Sequence, residues 1–189
     1  MPKRNIAVLV GSNRRDSINR KLAQALVKLG ADKFDAEFVR IDDLPLYNQD
    51  SEAPLPPTVV RFKNEVAAAD GVMIVTPEHN RSIPTVLKNA IDWGARPYGK
   101  NSWVGKPTFI TGTSPGAMGT ALAQQHLRSV MISLGMIVLG GEAYVTFKPN
   151  LTDDHGNLGD ESTRKFLQDF VDRFATLVGQ LSPLKRSAA

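Results

Sequence analysis

Cysteine is absent from the 189-residue sequence, histidine occurs three times, and no apolar run is long enough to span a membrane. The lack of cysteine excludes disulfide bonds, thiolate nucleophiles and sulfur-bound metals. The histidines stand far apart and outside any chelating pattern of carboxylates, so the sequence predicts no metal site. The first apolar stretch, residues 6–10, is too short for a signal-peptide core, and we expect a cytoplasmic protein without membrane contact.

Two common nucleotide-binding motifs are also missing. The pattern G-x-x-x-x-G-K-[ST] does not occur, which removes the usual anchor of a nucleoside triphosphate. The pattern G-x-G-x-x-G does not follow the first apolar run, and the glycines at 112, 116 and 119 have a different spacing. A tightly bound Rossmann dinucleotide is therefore disfavoured.

Charge of either sign is spread along the chain. Lysine and arginine number 23 and aspartate and glutamate 19, for a net charge of +4. Such a modest, scattered excess favours anionic small molecules over nucleic acid as partners. Length and composition predict one domain over residues 1–182, and the last residues, 183–189, are typical of a flexible tail.

Short apolar runs alternate with segments of helical spacing, which is the pattern of a doubly wound α/β fold. The first and third runs are almost entirely apolar, as expected of parallel strands covered on both faces. A proline-rich loop is expected over residues 43–57. We predict a five-stranded parallel sheet with helices on both faces, its strands at residues 6–10, 37–41, 71–76 and 108–111 and within 136–146, where Gly140 and Gly141 indicate a bulge or bend.

The loop after the first strand reads GSNRRDSINR, residues 11–20. This loop carries serine hydroxyls, an asparagine amide and Arg14, and it leads into a predicted helix. The N-terminus of that helix presents unpaired backbone N–H groups and the positive end of the helix dipole. A phosphate monoester fits this description. The alternative is a helix cap, with Ser17 or Asp16 closing the helix and the arginines in water.

The loop after the third strand reads TPEHNRSIP, residues 76–84. Pro77 stiffens it, Asn80 and Ser82 supply polar contacts, and Pro84 suits the first turn of a helix that begins near Ser82. Such a turn can lay backbone donors along the edge of a flat heterocycle, although Ser82 as a simple helix cap is equally consistent with the pattern. For Glu78 and His79 we favour exposed or contact roles over catalytic ones.

The loop after the fourth strand contains GTSPG, residues 112–116, which matches the G-x-S-x-G nucleophile elbow of hydrolases. In that mechanism the residue after the serine donates its N–H to the oxyanion, and here that residue is Pro115, which has none. Downstream histidines also have poor triad spacing. A serine esterase at Ser114 therefore stays a remote alternative, and close approach to a planar ligand is the preferred role of this loop.

The three loops together identify a protein family more specifically than any one of them does. GSNRRDSIN resembles the phosphate loop, and PEHNRSIPTVLKNAIDW the second flavin loop and following helix, of the NADPH-dependent FMN reductase family, which includes bacterial quinone and chromate reductases. The likeness extends from the first strand to about residue 145 and includes DLPLYN and ARPYG. It implies a flavodoxin-like fold, bound FMN, and two-electron reduction of small-molecule acceptors with NADH or NADPH.

The resemblance also implies which residues of this sequence bind the flavin. Two positions depart from the family, which usually has a bulky aliphatic residue at Asn13 and tyrosine at His79; the second makes the acceptor uncertain. A flavodoxin-like carrier or redox-sensing module without nicotinamide turnover remains the alternative function. The FMN phosphate is assigned to Ser12, Arg14, Ser17, Ile18 and Asn19, and the isoalloxazine to Pro77, Glu78, His79, Asn80, Ser82, Ser114, Pro115 and Gly116.

Two further assignments concern the nicotinamide and the oligomer. Arg96, and again His79, are candidates for contact with nicotinamide cofactor or substrate, with a plain surface arginine as the alternative for Arg96. The family commonly forms homodimers or homotetramers. By resemblance Arg128 and Glu142 pair between subunits, although an exposed pair of this kind contributes little by itself.

Overall fold

The computed structural model describes residues 3–153 and 155–181. The tail expected at 183–189 lies outside these residues, and the single domain over 1–182 stays a prediction. The strands are β1 Arg4–Val10, β2 Phe34–Phe38, β3 Gly71–Val75, β4 Pro107–Ser114, β5 Ile137–Val138 and β6 Ala143–Thr146, and the helices are α1 Ile18–Leu29, α2 Pro57–Ala68, α3 Thr85–Ala95, α4 Ala121–Ser133 and α5 Glu161–Leu181.

All strands are parallel, in the order β2-β1-β3-β4-β5, and β6 also pairs with β4. This is the flavodoxin-like order of a doubly wound sheet, so the predicted fold class is confirmed. The fifth strand is interrupted: β5 and β6 are two pieces on the same side of β4. The break contains Gly140 and Gly141, and Gly141 has a φ of +95°, a backbone conformation that favours glycine.

Alternation along the strands places an apolar layer on each face of the sheet. Ile6 and Val8 point to the layer completed by α1 and α5, whereas Ala7 and Leu9 point to the layer completed by α2, α3 and α4. Burial on both faces explains why β1 and β3 are continuous apolar runs in the sequence. No helix among the described residues is long and apolar enough to cross a bilayer.

The predicted boundaries of the second strand are wrong by three residues. Strand β2 lies at the sheet edge and ends at Phe38, and its alternate residues are exposed, so the sequence has no apolar run there. The apolar residues that suggested 37–41 belong partly to the following segment. Val39 still donates its N–H to Val8 O at 3.0 Å, after which the chain leaves the sheet.

Candidate functional site at the carboxyl edge of the sheet

The three predicted loops leave neighbouring strands at one edge of the sheet. The N–H of Gly11 donates to Val75 O at 2.9 Å, and that of Thr76 to Thr111 O at 2.9 Å, so β1, β3 and β4 stay paired up to this edge. The backbones of Gly112 and Thr76 are in close contact at this edge, since a Cβ added to Gly112 would lie 1.9 Å from Thr76 O. The loops therefore form one continuous rim, which is where doubly wound sheets bind ligands.

In the first loop, Ser17 caps α1. Its buried hydroxyl accepts the N–H of Arg20 at 3.1 Å. This cap is compatible with the predicted phosphate site, because the N–H groups of Ile18 and Asn19 belong to the first helical turn and have no partner within the helix. Both donors and the helix dipole remain for an anion at this end of α1.

Asn19 has a structural role that the sequence did not reveal. Its side chain is 2 % exposed, donates from Nδ2 to Thr113 O at 2.9 Å and accepts the Thr113 N–H at Oδ1 at 2.9 Å. Both polar atoms are thus used to tie α1 to β4. The side chain is engaged with β4 and the backbone N–H remains for a phosphate, which narrows the role that the resemblance assigned to this residue.

Ser12 and Arg14 lie on the open side of the first loop. The Arg14 N–H is 3.4 Å from Ser12 Oγ, and the Arg14 side chain is exposed. No carboxylate within the described ranges is at ion-pair distance from Arg14. A charged guanidinium and a hydroxyl beside a helix N-terminus suit a phosphate dianion.

The second loop is a tight turn. His79 and Ser82 exchange two backbone hydrogen bonds, 3.1 Å and 2.9 Å, and Asn80 and Arg81 between them have φ of +49° and +65°. Two positive φ values identify a type I′ geometry. Arginine in this conformation costs about 1 kcal/mol, and strain of this kind concentrates at binding sites.

Ser82 does not begin a helix, contrary to the prediction. Helix α3 begins at Thr85, after Pro84 at the N-cap position, because Ser82 is held in the turn. Its hydroxyl lies 3.1 Å from Nδ1 of His126 on α4. The turn thus contacts the neighbouring helix instead of capping its own.

Glu78 is not an exposed residue but the cap of α4. Its side chain is 8 % exposed, and Oε2 accepts the N–H groups of Leu122 and Ala123 at 3.0 and 3.1 Å. Thr120, the N-cap residue, makes no side-chain capping bond. A carboxylate here satisfies two helix donors and opposes the helix dipole, and it fixes residues 77–82 against α4.

We expect Glu78→Ala to lower the free energy of unfolding by about 2 kcal/mol, since two charge-assisted hydrogen bonds are lost. Glu78→Gln, which keeps an acceptor oxygen without the charge, should lose less. Urea unfolding measures both. The control is Glu65→Ala, which removes a half-exposed ion pair with Arg61 on α2 and should cost less than about 1 kcal/mol; equal losses at 78 and 65 would contradict the capping role.

In the third loop, the Ser114 side chain makes hydrogen bonds to the backbone of the loop itself. Its Oγ donates to Gly119 O at 2.5 Å and accepts the Gly116 N–H at 3.3 Å, while Pro115 and Gly116 are exposed. Among the described histidines, the one that contacts a serine is His126, with Ser82. Ser114 therefore has no general base in contact, which removes the geometric basis of the esterase alternative.

Arg96 is held by a carboxylate that the sequence did not single out. Its Nε donates to Glu52 Oε1 at 2.7 Å, and the Tyr47 hydroxyl donates to the same oxygen at 2.7 Å. These two donors, Tyr47 first, hold the pKa of the Glu52 carboxyl below its ordinary value. The group ties the loop before α2 to the end of α3, so Arg96 is neither a free surface arginine nor an unengaged ligand group.

Arg128 stabilises the interrupted fifth strand within the chain. Its guanidinium donates to Leu139 O at 2.8 Å and Gly141 O at 2.5 Å, the carbonyls between β5 and β6. Burial lowers the pKa of this guanidinium. Glu142 accepts a hydrogen bond from Gln125 at 2.7 Å. Pairing of Arg128 and Glu142 between subunits stays a prediction.

Comparison with known proteins places this geometry in a family. Residues 4–149 match the model of the NADPH-dependent FMN reductases. The chain is 50% identical over 174 residues to a 2-hydroxy-1,4-benzoquinone reductase of Burkholderia sp, covering 92% of this chain and 95% of the relative. It is 49% identical over 176 residues to a quinone reductase of Pseudomonas putida, covering 92% and 94%.

Among solved structures, the fold matches FerB, a flavoenzyme NAD(P)H:(acceptor) oxidoreductase from Paracoccus denitrificans. The TM-score is 0.92 at 43% sequence identity, and the match covers 95% of this chain and all of that one. The family model alone spans well over half of the sequence. The chain belongs to the NADPH-dependent FMN reductase family.

Proposed function

We propose that the chain is an FMN-dependent oxidoreductase that transfers two electrons from NADH or NADPH to quinones. The observation that carries this proposal is the juxtaposition, on adjacent strands, of the α1 N-terminus with the strained turn at 79–82. One offers donors to a phosphate, and the other offers a rigid backbone edge to a planar ring. The names of the similar quinone reductases and of FerB support the same activity.

The residues present fit FMN. Phosphate contacts would come from Ser12, Arg14 and the first N–H groups of α1, and ring contacts from residues 77–82 and 114–116. When bound, FMN accepts a hydride and passes two electrons onward. The protein needs no acid-base pair for this chemistry. Its task is to orient the ring and leave one face open.

The main alternative is an FMN carrier without nicotinamide turnover. The net charge of +4 is unlike that of small acidic electron carriers, and the relatives named above are reductases, so the enzyme is favoured. Anaerobic mixing of the FMN-loaded protein with NADH or NADPH tests the proposal. Rapid bleaching of the visible flavin band, with recovery on addition of 1,4-benzoquinone, is expected; a flavin that dithionite alone reduces would favour the carrier.

Arg14→Ala should weaken FMN binding about tenfold, because a guanidinium contact to a phosphate dianion is lost. Quenching of FMN fluorescence on titration gives the Kd. The loss should shrink at high salt, where the exposed charge is screened. Arg164→Ala on α5, which removes an exposed arginine paired with Glu161, is the control and should bind FMN as the unaltered protein does. Unchanged FMN affinity in Arg14→Ala would refute the phosphate role.

Three finer features belong to the same proposal. Chromate is a second acceptor to assay, as expected from the family resemblance. A homodimer or homotetramer is supported by exposed apolar side chains on α4, Leu122 and Ile132, and multi-angle light scattering measures its size. Cytoplasmic location stays a prediction from the sequence.

A further inference from the structure

The hydroxyl of Ser82 and the imidazole of His126 form a polar pair beside the proposed ring site. Ser82 Oγ lies 3.1 Å from His126 Nδ1, and Ser82 is held in the turn at 79–82 by its two backbone hydrogen bonds with His79. Helix α3 begins only at Thr85, so the hydroxyl does not cap a helix. A hydroxyl in contact with a titratable nitrogen can transfer a proton, and the proposed function so far gives this pair no role.

The imidazole is also open to solvent. His126 is exposed and forms part of the wall of a cavity of about 330 Å³ between α3 and α4, together with Ile83, Lys88, Ser129 and Val130. Water that enters this cavity can replace a proton that the imidazole has lost. The pair therefore connects bulk water with the turn that would border the flavin.

The charged groups around the imidazole are engaged with one another. Lys88 of α3 is paired with Asp92 at 2.6 Å. On the turn side, Glu78 caps α4 and lies 3.4 Å from Nη1 of Arg81. Within residues 3–153 and 155–181, no carboxylate is at ion-pair distance from the His126 ring. The pair thus lacks the third group that orients the base of a serine nucleophile, and its chemistry is the transfer of a proton.

The protonation state of the imidazole sets the direction of the hydrogen bond. A neutral ring with its proton on Nε2 accepts the Ser82 hydroxyl proton at Nδ1, whereas an imidazolium donates from Nδ1 to Ser82 Oγ. In the second state the hydroxyl proton points away from His126 and can be donated elsewhere. Histidine changes between these states near neutral pH. A proton can therefore pass from the imidazole to the turn while both backbones stay in place.

Reduction of a quinone consumes a proton of this kind. Conversion of a quinone to a hydroquinone takes up two electrons and two protons, and the hydride of NADH or NADPH supplies both electrons and one proton. The second proton comes from the protein or from water. In the proposed function the acceptor lies against the ring that residues 77–82 border, so Ser82 is at the edge of the reacting groups.

We infer that His126, acting through Ser82, supplies the second proton of quinone reduction. The Ser82 O–H bond breaks as an O–H bond forms at the quinone oxygen, and the Nδ1 proton of the imidazolium passes to Ser82 Oγ. The neutral imidazole then regains a proton from water in the cavity between α3 and α4. Ser82 is thus the residue that contacts the acceptor, and His126 orients and reprotonates its hydroxyl. The inference rests on the proposed function and adds the source of the proton.

Two acceptors separate proton transfer from electron transfer. The FMN-loaded protein is reduced with NADH or NADPH and mixed rapidly with 1,4-benzoquinone or with ferricyanide, which takes up electrons without a proton. His126→Gln and Ser82→Ala should slow the reaction with the quinone about a hundredfold and leave that with ferricyanide within about twofold. Ser82→Thr, which keeps the hydroxyl, should restore the reaction with the quinone.

The control is His155→Gln, which replaces an exposed histidine between β6 and α5 and should react with both acceptors as the unaltered protein does. Equal losses with the quinone and with ferricyanide in His126→Gln and Ser82→Ala would indicate a structural role for the pair. No loss with either acceptor would show that water supplies the proton. Both results would overturn the inference.

The dependence on pH identifies the donor. The reaction of the unaltered protein with the quinone should slow as the pH rises above neutral, because a neutral imidazole has no Nδ1 proton to give. His126→Gln should react slowly at every pH and lack this decrease. His79, exposed on the same turn, is the other histidine beside the proposed ring site. If His79→Gln, rather than His126→Gln, removes the decrease with pH, the inference is wrong.

The hydrogen bond itself is tested without turnover. The chain has three histidines, so nitrogen-15 NMR spectra of the FMN-loaded protein resolve their ring nitrogens. At high pH the His126 ring should carry its proton on Nε2, and Ser82→Ala should shift the His126 Nδ1 resonance and leave that of His155 in place. A His126 resonance that does not respond to Ser82→Ala would overturn the inference.

The two proposals fail in different ways. If NADH and NADPH both leave the flavin oxidised, the proposed function is wrong, and protein reduced with dithionite still shows whether the reaction with the quinone depends on Ser82 and His126. If either cofactor reduces the flavin and His126→Gln reacts with the quinone as fast as the unaltered protein, the proposed function holds and the assignment of the proton donor is wrong.

Discussion

Gly112→Ala is expected to lower the free energy of unfolding by about 3 kcal/mol. The added Cβ would lie 1.9 Å from Thr76 O, a backbone atom of the residue that follows the adjacent strand β3, and 2.6 Å from Thr120 Oγ1. The hydroxyl can rotate, but the carbonyl can move only with β3. The substitution therefore forces apart β3 and β4 where the second and third loops begin, and flavin affinity should fall with stability. Urea unfolding and FMN titration measure the two effects.

Gly179→Ala is the matched control. Gly179 lies within α5, and no atom comes within 4 Å of a Cβ built there. Alanine has the higher helix propensity, so this variant should gain about 0.5 kcal/mol and bind FMN normally. If Gly112→Ala and Gly179→Ala unfold at the same urea concentration, close backbone contact at the rim is not what requires glycine at 112.

Asn19→Asp should cost about 3 kcal/mol at pH 7, because a buried carboxylate cannot donate to Thr113 O. Burial raises the pKa of such a carboxyl in the folded protein above its value of about 3.9 in the unfolded chain. The loss is therefore fully present above the folded pKa and shrinks as the pH falls through it. Once protonated, aspartic acid can donate and accept as asparagine does.

Unfolding in urea at pH 7 and at pH 5, with the unaltered protein at each pH, tests this reasoning. The deficit of Asn19→Asp should be smaller at pH 5. The control is Asn48→Asp, since the exposed Asn48 side chain only accepts, from the Asp50 N–H at 3.1 Å, and a carboxylate accepts equally well. A deficit for Asn19→Asp that does not depend on pH would mean that packing, not hydrogen bonding, ties α1 to β4.

Part of the candidate site was predictable because its signals are local. The α1 cap at Ser17 and the polar loop proposed to bind phosphate are both encoded by consecutive residues, and Pro115 in the sequence already argues against hydrolysis because it has no N–H. The motifs around residues 11–19 and 77–93 were sufficient to suggest the family. The prediction that a helix begins near Ser82 was wrong because serine is common both at helix N-caps and in turns, and neighbouring residues alone do not distinguish the two.

The sequence alone determined that this protein is a doubly wound α/β protein with three polar loops at one edge, because burial of a strand on both faces and the chemistry of a loop are both visible in neighbouring residues. The tertiary structure decided which residues of the chain contact one another. Asn19 and Thr113 are 94 residues apart, and Glu78 caps a helix that begins more than 40 residues later. Arg40, which follows β2, lines one cavity together with arginines of the loop after the neighbouring strand β1. Periodicity records whether a side chain is buried, whereas the atom that it meets depends on how distant elements pack.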